Sequence, residues 1–549
     1  MSNENSSETI VPVVTPAAIA AAARLIGLPF TGAEIELMVE TVQKRLTHYE
    51  QLRAVSLANH VPPALRFDPA PAGGPAVGAG TASCAIAISA SAPISRPHPL
   101  EEVAFWPVTQ LAHLIHAGQV RSLELTQLYL DRLRRYDPHL KCTVTLTEEL
   151  ALSQARRADE ELAAGHDRGP LHGIPWGAKD LLATRGIPTT WGAEPYQGQS
   201  FDYDATVVQR LAEAGAVLVA KLSTGALAQG DVWFGGQTRN PWDLDEGSSG
   251  SSAGPASATA AGLVGFAIGT ETMGSIISPG ARCGVTGLRP TFGRVSRHGC
   301  MSLSWSMDKI GPMCRSVEDC AVVFNAIYGP DGLDTTVADR PFVWKPAIDL
   351  RRLRIGYVPA AFDMEREGKG YDEETLVVLR RLGAELVPIT LPDYPHEMMM
   401  LILFAEAAAA FDELTRSDQD DRLARQSADA WPNSLRAARL IPAVEYIQAN
   451  RLRSQLMQEM AGVMAQVDLY LQPCVWGPEL ALTNYTGHPA VVLPNGFSAA
   501  GKPVNSMVFV GQLYGEAELL AVAKAYQDAT DFHLRRPALV DSRNSQLPK

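Results

Sequence analysis

The stretch GSSGSSAGPASATAAGLVGFAIGTETMGSI, residues 247–276, is the part of this 549-residue chain on which both the fold class and the chemistry depend. Glu271 is the only charged residue among these thirty, whereas six are serine and seven are glycine. The uncharged part, residues 247–270, is long enough to cross a bilayer, but Ser, Ala, Gly and Thr transfer poorly into lipid. We therefore expect a buried segment that packs closely against its neighbours.

The composition of the whole chain is that of a globular protein of enzyme size. Hydrophobic residues make up 46% and charged residues 19%, which excludes a largely disordered chain. The formal net charge is -13, and no long run of Lys or Arg occurs, so we expect neither a nucleic-acid partner nor a membrane partner.

The cysteines and the amino terminus indicate the compartment. Seven cysteines occur without any Cys-x-x-Cys pair, which favours reduced, buried thiols over disulfides or a zinc site. The first residues, MSNENSSETIVPVV, have neither a basic region nor a long apolar run. The sequence therefore predicts no signal peptide and a cytoplasmic location.

Two segments are predicted to precede the main domain. Residues 1–60 read as an N-terminal helical extension, in which Thr31 and Glu34 have the spacing of a capping box. Residues 61–104 are rich in Pro, Ala and Gly, which is typical of an extended arm or linker.

The main domain is predicted to span residues 105–549. Helical patterns alternate there with short apolar strands, as in the helix at 206–215 and the strand at 216–222. This alternation predicts an α/β fold with a sheet covered on both faces. We place the catalytic core at 165–335 and a variable helical cover at 395–460.

A lysine in apolar surroundings is the first candidate for chemistry. Lys179 lies in GIPWGAKD, residues 173–180. Desolvation lowers the pKa of an ammonium group, and a neutral lysine is a competent base. On this segment alone, a surface lysine paired with a carboxylate is the simpler interpretation.

Two serine-rich loops are the next candidates. Ser252 lies at the centre of GSSAG, which matches the nucleophile elbow of α/β-hydrolases, but loop-like residues precede it where that motif needs a strand. Ser275 lies in GTETMGSI, residues 269–276, where glycines allow tight turns around a hydroxyl. A hydroxyl beside free backbone N–H groups suits acyl transfer, although such a loop alone is more simply an ordinary turn.

Taken in this order, the three segments resemble the amidase signature family, whose members carry a lysine in a G-I-P-x-x-x-K-D segment and serines in two glycine-rich loops. The resemblance is strong over roughly residues 105–335. It implies an α/β/α layered fold with a large mixed central β-sheet. It also implies hydrolysis of a small-molecule carboxylic amide through a serine acyl-enzyme, with no metal and no cofactor.

The resemblance assigns a proton relay to three side chains. Ser275 is the nucleophile, Ser251 is the bridging serine, and Lys179 is the base. Ser251 is preferred over Ser248 because it stands nine residues after Trp242, as the family pattern requires.

The resemblance also assigns the groups around the relay. The backbone N–H groups of Thr272, Met273 and Gly274, together with that of Ser275, form the oxyanion hole. Gly250 and Ser252 support the relay, and the peptide bond between Gly250 and Ser251 is cis. The alanines of residues 256–267 are expected to form a helix close to the sheet, and the lack of charge is expected to keep Lys179 neutral.

Four departures from the family pattern concern the substrate pocket more than the reaction, and one is that Ala226 stands where the family commonly has an acidic residue. Glu271 stands where the family usually has Asp, and Ile277 replaces the usual arginine. Met273 replaces a glycine, which a backbone oxyanion hole tolerates if that residue avoids positive φ.

Several alternatives to a free-standing amidase stay open. The same motifs resemble the glutaminase subunit of a tRNA-dependent amidotransferase. A urethane or ester hydrolase would use the same acyl chemistry, and a non-catalytic binding protein could keep the same scaffold. The N-terminal helices offer a surface for a homodimer, as in some relatives.

Overall fold

The computed structural model describes residues 13–55, 65, 86–89, 94–474 and 478–539. Most of the predicted arm at 61–104 lies outside these residues. The chain divides into two compact units, and the smaller one combines residues up to 66 with 303–306 and 393–458. The remaining residues make up the larger unit, which contains all the predicted site residues.

Besides two small two-stranded sheets, Val232–Trp233 with Gly236–Gln237 and Arg239–Asn240 with Asp243–Gly247, one large sheet runs through the larger unit. Among the described residues it has eleven strands, which are β1 (Thr143–Leu146), β2 (Pro175–Lys179), β3 (Val217–Leu222), β4 (Phe266–Glu271), β5 (Thr286–Arg289), β6 (Lys309–Cys314), β7 (Arg354–Tyr357), β8 (Glu385–Pro388), β9 (Leu469–Pro473), β10 (Ala490–Phe497) and β11 (Pro503–Gly511). Their order across the sheet is β1-β3-β2-β4-β6-β5-β10-β11-β9-β7-β8.

The sheet is mixed, which confirms the predicted α/β class. Strand β2 pairs in parallel with β3 and β4, whereas β6 pairs antiparallel with β4. Every residue of β2, β3 and β4 is buried, as expected for strands covered on both faces. Lys179, the last residue of β2, therefore lies at the end of a fully buried strand.

Helices flank this sheet along the chain. Those that belong to the larger unit are Val108–His116, Ser122–Leu140, Glu148–Ala163, Thr206–Glu213, Ala253–Ala260, Ile277–Cys283, Val317–Ile327, Pro359–Asp363, Lys369–Arg381, Pro478–Thr486 and Glu516–Asp528.

The alanine-rich helix is shorter than the sequence predicts. It spans Ala253–Ala260, and all eight of its residues are buried. The predicted extent of 256–267 is wrong at its carboxyl end, because Gly262 adopts a left-handed φ of 65° and Phe266 already belongs to β4. A left-handed glycine ends a helix, and the apolar residues beyond it pair with neighbouring strands instead.

The smaller unit joins segments that are far apart in the sequence. Its helices are Pro16–Leu25, Gly32–Ala54, His396–Ala410, Asp412–Arg416, Trp431–Ala438 and the part of Ala443–Met464 up to residue 458. The predicted capping box is present, since Thr31 accepts a hydrogen bond from the Glu34 backbone and Glu34 accepts one from the Thr31 backbone.

One buried arginine ties these helices together. Arg436, which is 3% exposed, contacts Glu34 Oε1 at 2.7 Å, Asp420 Oδ2 at 2.9 Å and Asp421 Oδ1 at 2.6 Å. An apolar cluster extends the same contact, and its buried members are Ile19, Ile35, Met38 and Ala437. The N-terminal helices and the 393–458 segment therefore share one core.

The described residues contain no candidate membrane span and no candidate metal site. Within them, no helix is long and apolar enough to cross a membrane. Nor do any three His, Cys, Asp or Glu side chains of that part of the chain lie together where they could hold a metal ion.

Candidate active site

The predicted base, Lys179, ends strand β2 with its side chain fully buried. Its Nζ atom lies 2.8 Å from Ser251 Oγ, 2.8 Å from Thr270 Oγ1 and 3.1 Å from Ser252 Oγ. Burial lowers the pKa of this lysine to about 7, although nearby acidic groups oppose the shift. At neutral pH a large fraction of Lys179 is therefore an uncharged amine.

The loop before the alanine-rich helix presents both serines to Lys179. The peptide bond between Gly250 and Ser251 is cis, as the resemblance implies. A Cβ atom on Gly250 would lie 1.9 Å from the carbonyl oxygen of Gly230, so only glycine fits this close approach. The competing serine, Ser248, instead donates its hydroxyl to the Ser249 carbonyl oxygen.

Ser252 links three parts of the site. Its hydroxyl donates to the carbonyl oxygen of Thr270 at 3.0 Å and accepts from the Thr270 N–H at 3.1 Å. Its own backbone N–H donates to the carbonyl oxygen of Ser275 at 3.1 Å. These bonds hold the serine loop, the end of β4 and the predicted nucleophile in one arrangement.

The predicted nucleophile lies on the turn between β4 and the helix Ile277–Cys283. Ser275 is half-buried, and its hydroxyl makes no hydrogen bond to another described residue. The N–H groups of Met273, Gly274 and Ser275 likewise donate to no acceptor in the described part of the chain. Such a run of free donors beside a hydroxyl is what an oxyanion hole needs.

The backbone of this turn accommodates the methionine. Gly274 has a φ of 92°, so the left-handed position falls on a residue without a Cβ atom. Met273 has no positive φ, which satisfies the condition set by the sequence for this replacement. Thr272 donates its hydroxyl to Asp308 Oδ1 at 2.5 Å, which fixes the start of the turn.

Glu271 anchors the other end of the turn, a role that the sequence did not reveal. Its Oε2 atom accepts hydrogen bonds from the N–H groups of Ile276 at 2.8 Å and Ile277 at 3.0 Å. Its Oε1 atom accepts from Arg289 at 2.7 Å and from Asn484 at 2.9 Å. The carboxylate therefore fastens the residues that follow Ser275 to β5 and to a helix much later in the chain.

The charge of Glu271 is compensated inside the protein. Burial acts to raise its pKa, but the positive charges of Arg289 and Lys309, together with the hydrogen bonds, lower the pKa overall. The site is therefore less poor in charge than residues 247–270 suggest, because other segments bring Arg289 and Asp308 to it. In the sequence, the one signal for this role is that Glu271 stands where the family usually has Asp.

Known proteins resemble this chain over most of its length. The family model described as Amidase matches residues 124–481. A glutamyl-tRNA(Gln) amidotransferase subunit from Roseiflexus castenholzii is 35% identical over 481 residues, which cover 78% of this chain and 97% of that relative.

Solved structures agree with this match. The native peptide amidase from Stenotrophomonas maltophilia has a TM-score of 0.71 at 32% identity, covering 80% of this chain and 99% of that chain. A bacterial aryl acylamidase of the amidase signature family has the same TM-score of 0.71 at 23% identity, covering 79% and 98%, which bears on the fold alone.

Proposed function

This chain belongs to the amidase signature family of amide C–N hydrolases, and we propose that it forms an acyl-enzyme on Ser275 through a relay of Ser251 and Lys179. One observation carries the proposal: the Nζ atom of a fully buried lysine lies 2.8 Å from Ser251 Oγ, in the loop that also bonds to the Ser275 backbone. A buried amine that is neutral near pH 7 has the proton affinity that a general base requires.

In the first half of the reaction, Ser275 Oγ attacks the carbonyl carbon of the amide. The proton of that hydroxyl passes to Ser251 Oγ, and the original Ser251 proton passes to Lys179 Nζ, which becomes an ammonium. The carbonyl oxygen becomes an oxyanion, and the N–H groups of Thr272, Met273, Gly274 and Ser275 stabilise it.

In the second half, the C–N bond breaks. Lys179 returns its proton through Ser251 to the leaving nitrogen, so the amine departs neutral and the acyl group stays on Ser275. A water molecule then repeats the sequence of proton transfers, releases the carboxylic acid and restores Ser275. The number of protons on the relay is the same before and after the cycle.

The hydrogen bonds of Lys179 support this direction of proton flow. A neutral amine has two N–H donors and one lone pair, whereas three hydroxyl oxygens lie within 3.1 Å of Nζ. One of those hydroxyls must therefore donate to the nitrogen. Ser252 is engaged with both backbone groups of Thr270, which leaves the hydroxyls of Ser251 and Thr270 as candidate donors, and the proposed relay assigns this role to Ser251.

The direct test compares alanine variants in amide hydrolysis and in labelling by a fluorophosphonate probe. We expect Ser275→Ala to abolish both, and Lys179→Ala and Ser251→Ala each to lower kcat/KM by about 10³-fold or more. Ser248→Ala is the matched control and should keep wild-type labelling. Wild-type turnover by Ser275→Ala would refute the relay, and a folded wild-type chain that takes no probe would favour a non-catalytic binding protein.

A second candidate names the substrate more closely: glutamine, with ammonia passed on in an amidotransferase. The similarity to the Roseiflexus amidotransferase subunit extends over 97% of that relative, which favours this candidate over an unspecified free-standing amidase. The N-terminal helices precede the matched residues 124–481, so the family match does not extend to them.

Substrate profiling separates these candidates. Ammonia release would be measured from L-glutamine and from simple aliphatic amides, and acid release from aryl amides and from matched esters and urethanes. A kcat/KM for glutamine at least tenfold above the other amides, together with co-purification of partner subunits, would support the amidotransferase role. A preference for other amides in the isolated chain would support a free-standing amidase, and a preference for esters or urethanes would overturn both.

A further inference from the structure

A serine with a left-handed backbone lies two residues before the bridging serine, Ser251. Ser249 has a φ of 62°, a conformation that glycine adopts readily but that costs free energy for a residue with a Cβ atom. Such residues persist only where the surrounding contacts hold them, and they are concentrated at functional sites. The contacts of Ser249 must therefore outweigh the cost of its backbone conformation.

Both backbone groups of Ser249 are held by neighbouring side chains. Its N–H donates to Asp231 Oδ2 at 3.1 Å, and the other oxygen of that carboxylate accepts from Gln237 Nε2 at 3.2 Å. Its carbonyl oxygen accepts the hydroxyl of Ser248 at 3.0 Å. These bonds fix the backbone of Ser249 and so set the direction in which its side chain leaves the loop.

The hydroxyl of Ser249 reaches the helix that follows the nucleophile. Its Oγ atom lies 2.8 Å from Ser278 Oγ, in a hydrogen bond for which either hydroxyl can be the donor. Ser278 is buried in the helix Ile277–Cys283, and its N–H donates to the carbonyl oxygen of Gly274 at 2.8 Å. Because Gly274 directly precedes Ser275, two hydrogen bonds join the Ser249 hydroxyl to the nucleophile turn.

This connection is the second tie between the serine loop and the nucleophile turn. The first is the bond from the Ser252 N–H to the carbonyl oxygen of Ser275 at 3.1 Å. The two ties leave the loop on either side of Ser251, at Ser249 and at Ser252. A single hydrogen bond lets two segments rotate about it, whereas two separated bonds fix their orientation. The placement of Ser251 relative to Ser275 therefore depends on both ties.

That placement matters for proton transfer. In the proposed relay the proton of Ser275 passes to Ser251, which requires the two oxygens to come within about 2.6–3.2 Å of each other. A misplacement of about 1 Å at a reacting group can lower a rate by about 100-fold. A residue that sets the orientation of the loop can therefore control the rate without touching the substrate.

We propose that Ser249 is a positioning residue of the relay, whose hydrogen bond to Ser278 holds the loop of Ser251 against the nucleophile turn. This inference rests on the proposed function, because it concerns the proton path of that relay. It assigns Ser249 and Ser278 neither a proton to transfer nor a contact with the substrate.

The experiment measures kcat and KM for amide hydrolysis, and the rate at which a fluorophosphonate labels Ser275, in full-length variants. Ser249→Ala and Ser278→Ala should each lower kcat and the labelling rate by about 10- to 100-fold, with KM unchanged. The double variant should lose no more than either single variant, because each substitution removes the same hydrogen bond. Ser248→Ala, at a hydroxyl directed to the loop backbone, is the control and should keep the wild-type kcat.

A glycine variant separates positioning from stability. Ser249→Gly removes the hydroxyl but relieves the left-handed backbone. Its midpoint in urea unfolding should therefore lie above that of Ser249→Ala, whereas its kcat should be just as low. A wild-type kcat in Ser249→Gly would overturn the inference, and this variant also decides the question if the alanine variants do not fold.

A background without the bridging hydroxyl tests whether the tie acts through the relay. In Ser251→Ala, adding Ser249→Ala should leave the residual labelling rate unchanged, since the proton carrier is already absent. A further fall by the same factor as in the wild type would show a general loosening of the site and would overturn the inference. Additive losses in Ser249→Ala/Ser278→Ala would overturn it as well.

Failure of the proposed function would give a different result. If Ser275→Ala were labelled like the wild type, the proposed function itself would fail. Labelling that depends on Ser275 but is unchanged in Ser249→Ala and Ser278→Ala would refute only the positioning role of Ser249.

Discussion

Lys179 Nζ and Ser251 Oγ lie 2.8 Å apart in a region closed to solvent, at the point where strand β2 meets the loop before the alanine-rich helix. This contact joins two segments separated by 72 residues. Because neither group is exposed, water cannot compete for the proton that they share. The pair is therefore the part of the site whose protonation should govern activity.

The first prediction concerns pH. Lys179 acts as a base only when it is neutral, and its pKa is lowered to about 7. We therefore expect kcat/KM for amide hydrolysis to rise tenfold per pH unit below about 7 and to level off above it. Initial rates between pH 5.5 and 9 would check this, and activity that is flat or falling between pH 6 and 8 would contradict the assignment of the base.

The second prediction separates the two adjacent serines. Ser251→Ala removes the proton carrier, so kcat should fall by about 10³-fold or more with little change in KM. Ser252→Ala removes hydrogen bonds that hold the Thr270 backbone, so activity should fall by about 10- to 100-fold and the unfolding free energy by about 1–3 kcal/mol. Steady-state kinetics and urea unfolding would show the contrast, and a larger kinetic loss in Ser252→Ala would reverse the two roles.

The third prediction tests the anchor of the nucleophile turn. Glu271→Gln keeps the size of the side chain but leaves Arg289 without its anion and offers an NH₂ group where an acceptor is needed. We expect kcat to fall by about 10- to 100-fold, because the turn that carries the oxyanion donors loosens. Glu365→Gln, at an exposed side chain paired with Lys369, is the control and should leave kcat unchanged. An equal kcat in both variants would show that Glu271 does not support catalysis.

The fourth prediction concerns the close approach at Gly250. A Cβ atom there would lie 1.9 Å from the carbonyl oxygen of Gly230, so Gly250→Ala forces a backbone to move. We expect loss of activity and a lower melting temperature. Gly198→Ala, where a Cβ atom would meet nothing within 4 Å, should melt like the wild type. Thermal unfolding and amide hydrolysis of the wild type and the two variants would check this. A fully active Gly250→Ala would show that the loop can accommodate a Cβ atom at this position.

The fifth prediction concerns the smaller unit. Arg436→Met leaves the buried Asp420 and the half-buried Glu34 without their counter-ion, which should cost about 3–5 kcal/mol of unfolding free energy. Arg351→Met, at an exposed arginine paired with Asp349, is the control and should change stability little. Urea unfolding would measure both, and equal midpoints would mean that the Arg436 cluster adds nothing to stability.

The sequence predicted the parts of the site that depend on local pattern. Lys179, Ser251 and Ser275 lie in short motifs whose order is specific, and the fold class follows from the alternation of helices and strands. The anchoring role of Glu271 was not predicted, because its partners, Arg289 and Asn484, are distant in sequence and no local pattern links them. The roles of the three relay residues stay predictions until the variants are assayed.

The predicted end of the alanine-rich helix was wrong because two local preferences compete there. Residues 256–267 are rich in alanine, which favours helix, but Gly262 ends the helix and Phe266 starts a strand that pairs with β2 and β6. Nor could the sequence alone show that the N-terminal helices share a core with residues 393–458. That contact depends on packing between segments hundreds of residues apart, which periodicity does not encode.

This shared core also affects how the protein is made. Glu34 leaves the ribosome 402 residues before Arg436, the side chain that neutralises it. At the usual rates of translation, the first helices wait roughly 20–80 s for their partners, with the apolar side chains of Ile35 and Met38 uncovered. Nascent chains of this protein should therefore engage chaperones at their amino-terminal end throughout that interval.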